Sequence, residues 1–364
     1  MYLKHLQVSN FKNYEEIEFD FHENVNCFVG KNGSGKTNLL DAIHYLSFCK
    51  SAFSSQDIHS IRFNCDYFAI HGIFENPENQ NTAKISCVFK NGRKTMKANQ
   101  KEYQRLSDHI GIFPLIIVSP YDNDMINEGS ETRRKFFDIS ISQFDSEYLH
   151  QLISYHKIIQ QRNQLLKQNL LGEKVDLSLL QIYNNQLIPL GTSIFEKRKQ
   201  FVSQILQDFQ HYYQTLSNDS ETVSLAYQSQ LFDLEYEKGL IENETQDFRS
   251  GYSNFGIHKD DFLFLINDTP LKRFGSQGQQ KSFLLSLKLA QYDYIASGKK
   301  IKPLLLLDDI FDKLDNLRIA QLLNLVGQNH FGQVFITDTD EPRLQSILNE
   351  HQIQNKIIRT MNNT

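Results

Sequence analysis

The chain has 364 residues, of which 40% are hydrophobic and 22% charged, so it is globular in composition and long enough for two lobes. Its net charge of −5 excludes a DNA-binding surface spread over the whole molecule, because neutralising phosphates requires clustered Lys and Arg. No apolar run approaches the roughly 20 residues of a membrane span and the N-terminus has no leader-like segment, which predicts a cytoplasmic protein without a membrane partner.

The first elements are predicted strands that lead into a glycine-rich loop. The apolar run 25–29 precedes residues 30–37, which fit the pattern G-x-x-x-x-G-K-[ST] and open an amphipathic stretch. In this setting, backbone N–H groups can close around phosphate oxygens at the positive end of a helix. The alternative is a glycine-rich turn that only happens to precede a helix. We predict a nucleotide site, with Lys36 in a catalytic role, formed by Gly30, Lys31, Asn32, Gly33, Ser34, Gly35, Lys36, Thr37 and Asn38.

A basic stretch follows between residues 84 and 105. Its Asn91-Gly92 dipeptide, between two alternating runs, predicts a tight hairpin turn. Two interpretations of its charges stay open: contacts to DNA phosphates, or a solvated sheet edge that Lys protects from aggregation. The candidates for DNA contact are Arg93, Lys94, Lys97 and Lys101.

The spacing of apolar residues changes in the middle of the chain. Apolar residues recur at helical spacing from about residue 145 to 216, and strands alternate with helices again after about residue 250. We therefore predict an α/β head formed by residues 1–112 and 245–364. A mainly helical lobe, residues 113–244, is inserted into it.

Two later segments add polar groups to the predicted site. Ser276, in a glycine-flanked turn before an apolar-periodic stretch, makes a second anion site from its hydroxyl, backbone N–H groups and the helix dipole. Residues 304–309 read as a buried strand that ends in two carboxylates. Ligands bind beyond the carboxyl ends of parallel strands, so we expect Asp308 beside the glycine-rich loop, holding Mg²⁺ together with Thr37. Asp309 would polarise the attacking water; the alternative for both carboxylates is a solvated strand end.

Residues 276–281 resemble the signature motif of ABC-type ATPases, in the form S-x-G-Q-x-K/R, and residues 312–315 resemble their D-loop. The resemblance implies an ABC-type P-loop ATPase head in which the signature of one subunit covers the γ-phosphate held by another. It assigns that role to Ser276, Gln277, Gly278, Gln279 and Lys281, and places Asp312 and Asp315 of the D-loop at the same interface. Thr337 or Asp338 would stand where many ABC ATPases have their switch histidine.

Further segments resemble the RecF family along the whole chain, at residues 2–21, 49–53, 133–138, 162–167 and 256–261. Ile257 and Lys259 depart from the Pro and Arg that are usual there, and Lys lacks the bidentate fork of Arg. The resemblance implies a weak, DNA-stimulated ATPase of DNA repair and replication. It further implies an ATP-dependent homodimer that clamps duplex DNA or gap junctions and helps to load RecA with the partners RecO and RecR.

Two functions from other classes fit the sequence less well. The nucleotide-binding subunit of a membrane transporter is disfavoured by the large helical insertion and by the absence of an L-S-G-G-Q motif. A nuclease related to the overcoming-lysogenisation-defect ATPases needs a metal-binding Toprim domain after the head, and the sequence ends too soon for one.

Overall fold

The computed structural model of the chain describes residues 1–77, 81–217, 221–310, 316–328 and 330–360. The chain folds into two compact units. The first comprises Met1–Asp122, His211–Asp219 and Gln277–Thr364, and the second comprises Asn123–Gln210 and Ser220–Ser276.

The elements are named in chain order. The strands are β1 (Tyr2–Phe11), β2 (Tyr14–Asp20), β3 (Val25–Val29), β4 (Tyr67–Glu75), β5 (Thr82–Lys90), β6 (Arg93–Ala98), β7 (Lys101–Glu102), β8 (Leu115–Val118), β9 (Val223–Gln228), β10 (Asp261–Ile266), β11 (Thr269–Pro270), β12 (Leu304–Leu307), β13 (Val334–Asp338) and β14 (Asn355–Arg359). The helices are α1 (Lys36–Phe48), α2 (Asp124–Asn127), α3 (Ser130–Phe144), α4 (Ser146–Leu170), α5 (Leu177–Ser217), α6 (Tyr236–Ser250), α7 (Leu271–Phe274), α8 (Gln277–Lys299), α9 (Asn316–Gly327) and α10 (Glu341–Glu350).

A parallel sheet in the first unit positions the predicted site. Its strand order is β14-β3-β13-β12-β8, and every pair is parallel. All residues of β3, β12 and β13 are buried, as their mainly apolar sequences predict for strands covered on both faces. Because parallel strands end at one edge, the segments that follow β3, β12 and β13 lie side by side there.

A second sheet of the first unit is antiparallel, in the order β2-β1-β4-β5-β6-β7. Helix α1 contacts this sheet and strand β13 of the parallel sheet, and most of its residues are buried. Gly72 on β4 allows this close approach, since a Cβ there would lie 2.5 Å from Leu46 Cδ1. The predicted hairpin is confirmed: Lys90 pairs with Arg93, and Asn91 and Gly92 have φ values of 52° and 73°. Positive φ at both central residues matches the right-handed twist of the strands.

The second unit confirms the predicted helical region, in α4 and most of α5, and adds the small antiparallel sheet β11-β10-β9. The extent of the second unit differs from the predicted lobe of residues 113–244, because the first unit runs to residue 122, includes residues 211–219 and continues from residue 277. The physical reason is that β10 pairs with β9 and packs on α3, where the Phe137 and Phe262 rings stack at 3.7 Å. Among the described residues, no helix has the length and apolarity that a membrane crossing requires.

Candidate nucleotide site

The glycine-rich loop connects the end of β3 to the start of α1. Gly33 and Gly35 have φ values of 81° and 96°, which only glycine adopts at little cost. At Gly35 a Cβ would also lie 2.5 Å from the Asn13 side chain and 2.6 Å from the Tyr14 hydroxyl. The loop therefore needs glycine for its conformation and for space. It leads directly into α1, whose first turn has backbone N–H groups without partners inside the helix.

Lys36, the first residue of α1, is 4% exposed and lies over the loop. Its Nζ donates to the carbonyl oxygens of Gly30 at 2.9 Å and Lys31 at 3.3 Å. The positive end of α1 and this ammonium thus face the same loop, which is an environment that stabilises phosphate.

Asp308 lies beside the loop, as predicted. The Thr37 hydroxyl is 3.0 and 3.1 Å from the two carboxylate oxygens of Asp308. Burial raises the pKa of Asp308, whereas hydrogen bonds from Thr337 and Thr37 act in the opposite direction. A hydroxyl and a carboxylate this close are hard oxygen donors of the kind that Mg²⁺ prefers, so these two residues fit a magnesium ion.

Asp309 follows in a left-handed conformation, with φ of 46°. Its backbone N–H donates to the Thr337 hydroxyl at 2.8 Å, and the same hydroxyl lies 2.8 Å from Asp308 Oδ1. Of the two candidates for the switch position, Thr337 is therefore the one that contacts the carboxylate pair. Asp338 instead accepts hydrogen bonds from the N–H groups of Thr339 and Asp340 and pairs with Arg343.

The sequence is similar to known proteins over almost its whole length. A family model described as the RecF/RecN/SMC N terminal domain matches residues 2–360. A protein of Flavobacterium johnsoniae named DNA replication and repair protein RecF is 48% identical over 349 residues, covering 96% of this chain and 97% of that protein. One of the same name from Phocaeicola vulgatus is 44% identical over 358 residues, covering 98% and 96%. The chain belongs to the RecF family.

Solved structures agree with this RecF membership. One, titled as the recombination mediator protein RecF-ATPrS in the RecFOR pathway, is 29% identical with a TM-score of 0.88, covering 99% of this chain and 96% of that one. An Smc head bound to the C-winged helix domain of ScpA is 16% identical with a TM-score of 0.58 over 99% of this chain and 94% of that one, which shows the fold alone. The predicted α/β fold, an ABC-type ATPase head, is confirmed.

The RecF-like segments of the second unit meet around two buried arginines. Arg198 is 1% exposed, binds both carboxylate oxygens of Asp138 at 2.9 Å and binds Asp260 at 2.8 Å. Arg162 is fully buried and binds Asp247 at 2.7 Å. Asp138, Arg162 and Asp260 belong to the segments 133–138, 162–167 and 256–261, so these RecF motifs contribute to the interior of this unit.

The two departures from the RecF pattern lie in different environments. Ile257 is fully buried and its carbonyl accepts a hydrogen bond from Arg198 at 2.8 Å, whereas Lys259 is exposed. Between them, His258 contacts the Tyr155 hydroxyl and the Ser253 carbonyl, both at 2.9 Å. Burial lowers the pKa of His258 to about 4, so the imidazole is neutral at pH 7.

The signature residues lie where a helix begins. Helix α8 starts at Gln277, directly after Ser276, and both residues are exposed. Gly278, Gln279 and Lys281 are half-buried in the first turns. The predicted D-loop residues Asp312 and Asp315 lie outside the described part of the chain.

The structure separates the four DNA-contact candidates. Lys94 is 14% exposed and pairs with Asp57 at 2.7 Å, on the inner face of the antiparallel sheet with buried Met96. Arg93 is exposed but pairs with Glu102 at 3.0 Å. Lys97 and Lys101 are exposed. The exposed basic residues of this hairpin are therefore Arg93, Lys97 and Lys101, without Lys94.

Sequence reasoning missed the residues that support the loop from other parts of the chain. The Thr360 hydroxyl, directly after β14, is 2.6 Å from Ser34 Oγ, and a Cβ on Gly30 would lie 2.4 Å from it. A cavity of about 710 Å³ adjoins this side of the loop and includes Thr360 and Arg359 in its wall. Asn13 supports the other side and contacts Asn38 at 2.7 Å. No local pattern marks Asn13 or Thr360, because their role comes from sheet pairing.

Proposed function

We propose that the chain is an ATP-hydrolysing, DNA-binding protein of recombinational repair and replication maintenance. The observation that carries the proposal is the direct pairing of Thr37 with Asp308 beside the glycine-rich loop. A further solved relative, 31% identical with a TM-score of 0.86 over 93% of this chain and 92% of that one, is titled as RecF-ATP in the RecFOR pathway. ATP is accordingly the nucleotide that we assign.

The residues of the site have separate roles in this proposal. The amides of residues 30–37 and the Lys36 ammonium bind the β- and γ-phosphates, replacing the contacts of Nζ to the loop carbonyls. Thr37 and Asp308 hold Mg²⁺, which when bound neutralises charge on the phosphate oxygens. Asp309 orients the attacking water, because it is the second carboxylate at the end of β12 and is half-buried at the same edge.

A second copy of the chain closes the site. The exposed Ser276 and the amides at the start of α8 present a hydroxyl and a helix N-terminus, which suit the γ-phosphate of a nucleotide held by the other copy. Gly278 lets the backbone approach, and Lys281 adds charge. ATP thereby favours a homodimer, and slow hydrolysis releases it.

DNA is the macromolecular partner in this proposal. The exposed cations Arg93, Lys97 and Lys101 on the β6–β7 edge supply sequence-independent phosphate contacts to duplex DNA or gap junctions. By family resemblance the cycle operates in the cytoplasm with RecO and RecR, and helps RecA to load at gaps.

The proposal is tested first by nucleotide binding. Lys36→Met removes the ammonium but keeps an unbranched side chain of similar reach. Two lost hydrogen bonds to a charged ligand cost roughly 3 kcal/mol or more, so affinity should fall on the order of 100-fold. Titration with a fluorescent ATP analogue in the presence of Mg²⁺ measures the affinity. The control is Lys174→Met, because Lys174 is an exposed residue of the second unit. Unchanged affinity of Lys36→Met would refute the site.

The second test addresses partner and assembly. Light scattering of the wild-type chain with Mg-ATP, with and without duplex DNA, should show a dimer that DNA stabilises. A chain that stays monomeric under both conditions would refute the clamping step while leaving nucleotide binding intact.

A further inference from the structure

Thr337 connects the two carboxylate residues of the proposed site. Its side chain is fully buried, and its Oγ1 lies 2.8 Å from Asp308 Oδ1, 2.8 Å from the Asp309 nitrogen and 3.5 Å from Asp309 Oδ1. A threonine hydroxyl has one proton to donate and two lone pairs to accept with. It can therefore donate to the Asp308 carboxylate and accept from the Asp309 N–H at the same time.

The position of β13 makes this double contact possible. The strand lies between β3, which leads into the glycine-rich loop, and β12, which ends at the carboxylates. Thr337 pairs with Phe28 of β3, and the preceding Ile336 pairs with Leu307 of β12. Thr337 is therefore level with Asp308, the residue after Leu307, and with Phe28, two residues before the start of the glycine-rich loop at Gly30.

The bond to Asp309 holds an unfavourable backbone conformation. Asp309 has φ of 46°, and a non-glycine conformation in this region costs of order 1–3 kcal/mol and persists only where the surroundings fix it. The Thr337 hydroxyl accepts the N–H of that same residue. The bond to Asp308 fixes a second group, because Asp308 Oδ1 accepts hydrogen bonds from both Thr37 and Thr337.

We propose that Thr337 is a positioning residue for ATP hydrolysis, whose hydroxyl orients the metal-binding Asp308 and holds Asp309 in the conformation that places its carboxylate for the water. This inference rests on the roles of Asp308 and Asp309 in the proposed function. It assigns Thr337 to the chemical step and not to nucleotide binding, since the hydroxyl's contacts are to these two carboxylate residues.

The test compares side chains that differ in the hydroxyl. Thr337→Val keeps the branched shape of the side chain but removes the hydroxyl. Thr337→Ala removes both the hydroxyl and the branch, and Thr337→Ser keeps the hydroxyl. Removing a group that orients a metal ligand typically costs 10–100-fold in activity. We expect this loss of the single-turnover hydrolysis rate in Thr337→Val and Thr337→Ala. Thr337→Ser should keep most of the wild-type rate. Thr339→Val, which removes a half-buried hydroxyl two residues further on, is the matched control and should hydrolyse normally.

Two other readouts separate positioning from a structural role. The affinity for a fluorescent ATP analogue without Mg²⁺ should be close to wild type in all four variants. Cooperative thermal unfolding should show that each variant is folded, with a lower melting temperature for Thr337→Val and Thr337→Ala, which lose a buried hydrogen-bonding group, than for Thr337→Ser. An unchanged hydrolysis rate in Thr337→Val and Thr337→Ala would overturn the proposal, as would a slow Thr337→Ser or a loss of Mg²⁺-free nucleotide affinity that matches the loss of rate. A wild-type chain that does not hydrolyse ATP would instead refute the proposed function itself.

Discussion

Asp309→Asn is the substitution that best separates chemistry from assembly. The residue has φ of 46°, and asparagine is among the residues that tolerate this left-handed region most readily. The N–H bond to Thr337 belongs to the backbone and persists in the variant. The change therefore removes one negative charge from the site while leaving the backbone and the packing as they are.

The expected loss of rate follows from the role of the Asp309 carboxylate. Loss of a residue that positions or deprotonates the attacking water costs on the order of 100-fold in rate, equivalent to about 2.7 kcal/mol in the activation free energy. Mg-ATP binding should be retained, because Thr37, Asp308 and Lys36 are untouched. Dimerisation should also be retained, and the DNA-bound dimer should live longer than that of the wild type.

Single-turnover hydrolysis and DNA dissociation kinetics, measured on the same preparation, provide the assay. Asp340→Asn is the matched control, since Asp340 caps α10 by accepting from the Arg343 N–H and asparagine caps equally well. Normal hydrolysis by Asp309→Asn would assign the water to another residue. Loss of Mg-ATP binding would mean that Asp309, not Asp308, holds the metal.

Three further predictions test other parts of the molecule. Ser276→Arg should leave nucleotide binding unchanged and abolish ATP-dependent dimerisation in light scattering, so a dimer of wild-type size would make the signature structural only. Lys97→Glu should flatten the slope of log K against log salt for duplex DNA by roughly one unit per lost phosphate contact, whereas Lys174→Glu should not, and equal slopes would place DNA elsewhere. Arg198→Met leaves two buried carboxylates without their partner, which costs about 3–5 kcal/mol and should lower the melting temperature by roughly 10 °C. The exposed Lys135→Met should melt like the wild type, and equal melting of both variants would contradict the importance of the buried network.

The local parts of the site can be predicted from the sequence. The spacing of glycines in residues 30–37, the apolar run before them and the helical stretch after them are all set by neighbouring residues, and the structure has β3, the loop and α1 there. The same holds for the Asn91-Gly92 turn, for β12 ending directly before Asp308 and for α8 starting after Ser276. Such features can be read from a sequence because a turn, a cap or a periodic run depends on residues a few positions apart.

Which of these parts meet depends on the tertiary fold. Thr37 and Asp308 are 271 positions apart, and the hydroxyl of Thr337 joins Asp308 to Asp309 because β13 lies between β3 and β12. Strand order in a parallel sheet is fixed by packing over the whole unit and leaves no local pattern. Lys94 is an example of the same kind. Its sequence neighbours predict a surface cation, whereas the pairing of the strands puts it on the inner face of the sheet beside Asp57. Charge and hydropathy are local properties of the sequence, whereas the partner of a side chain is a property of the fold.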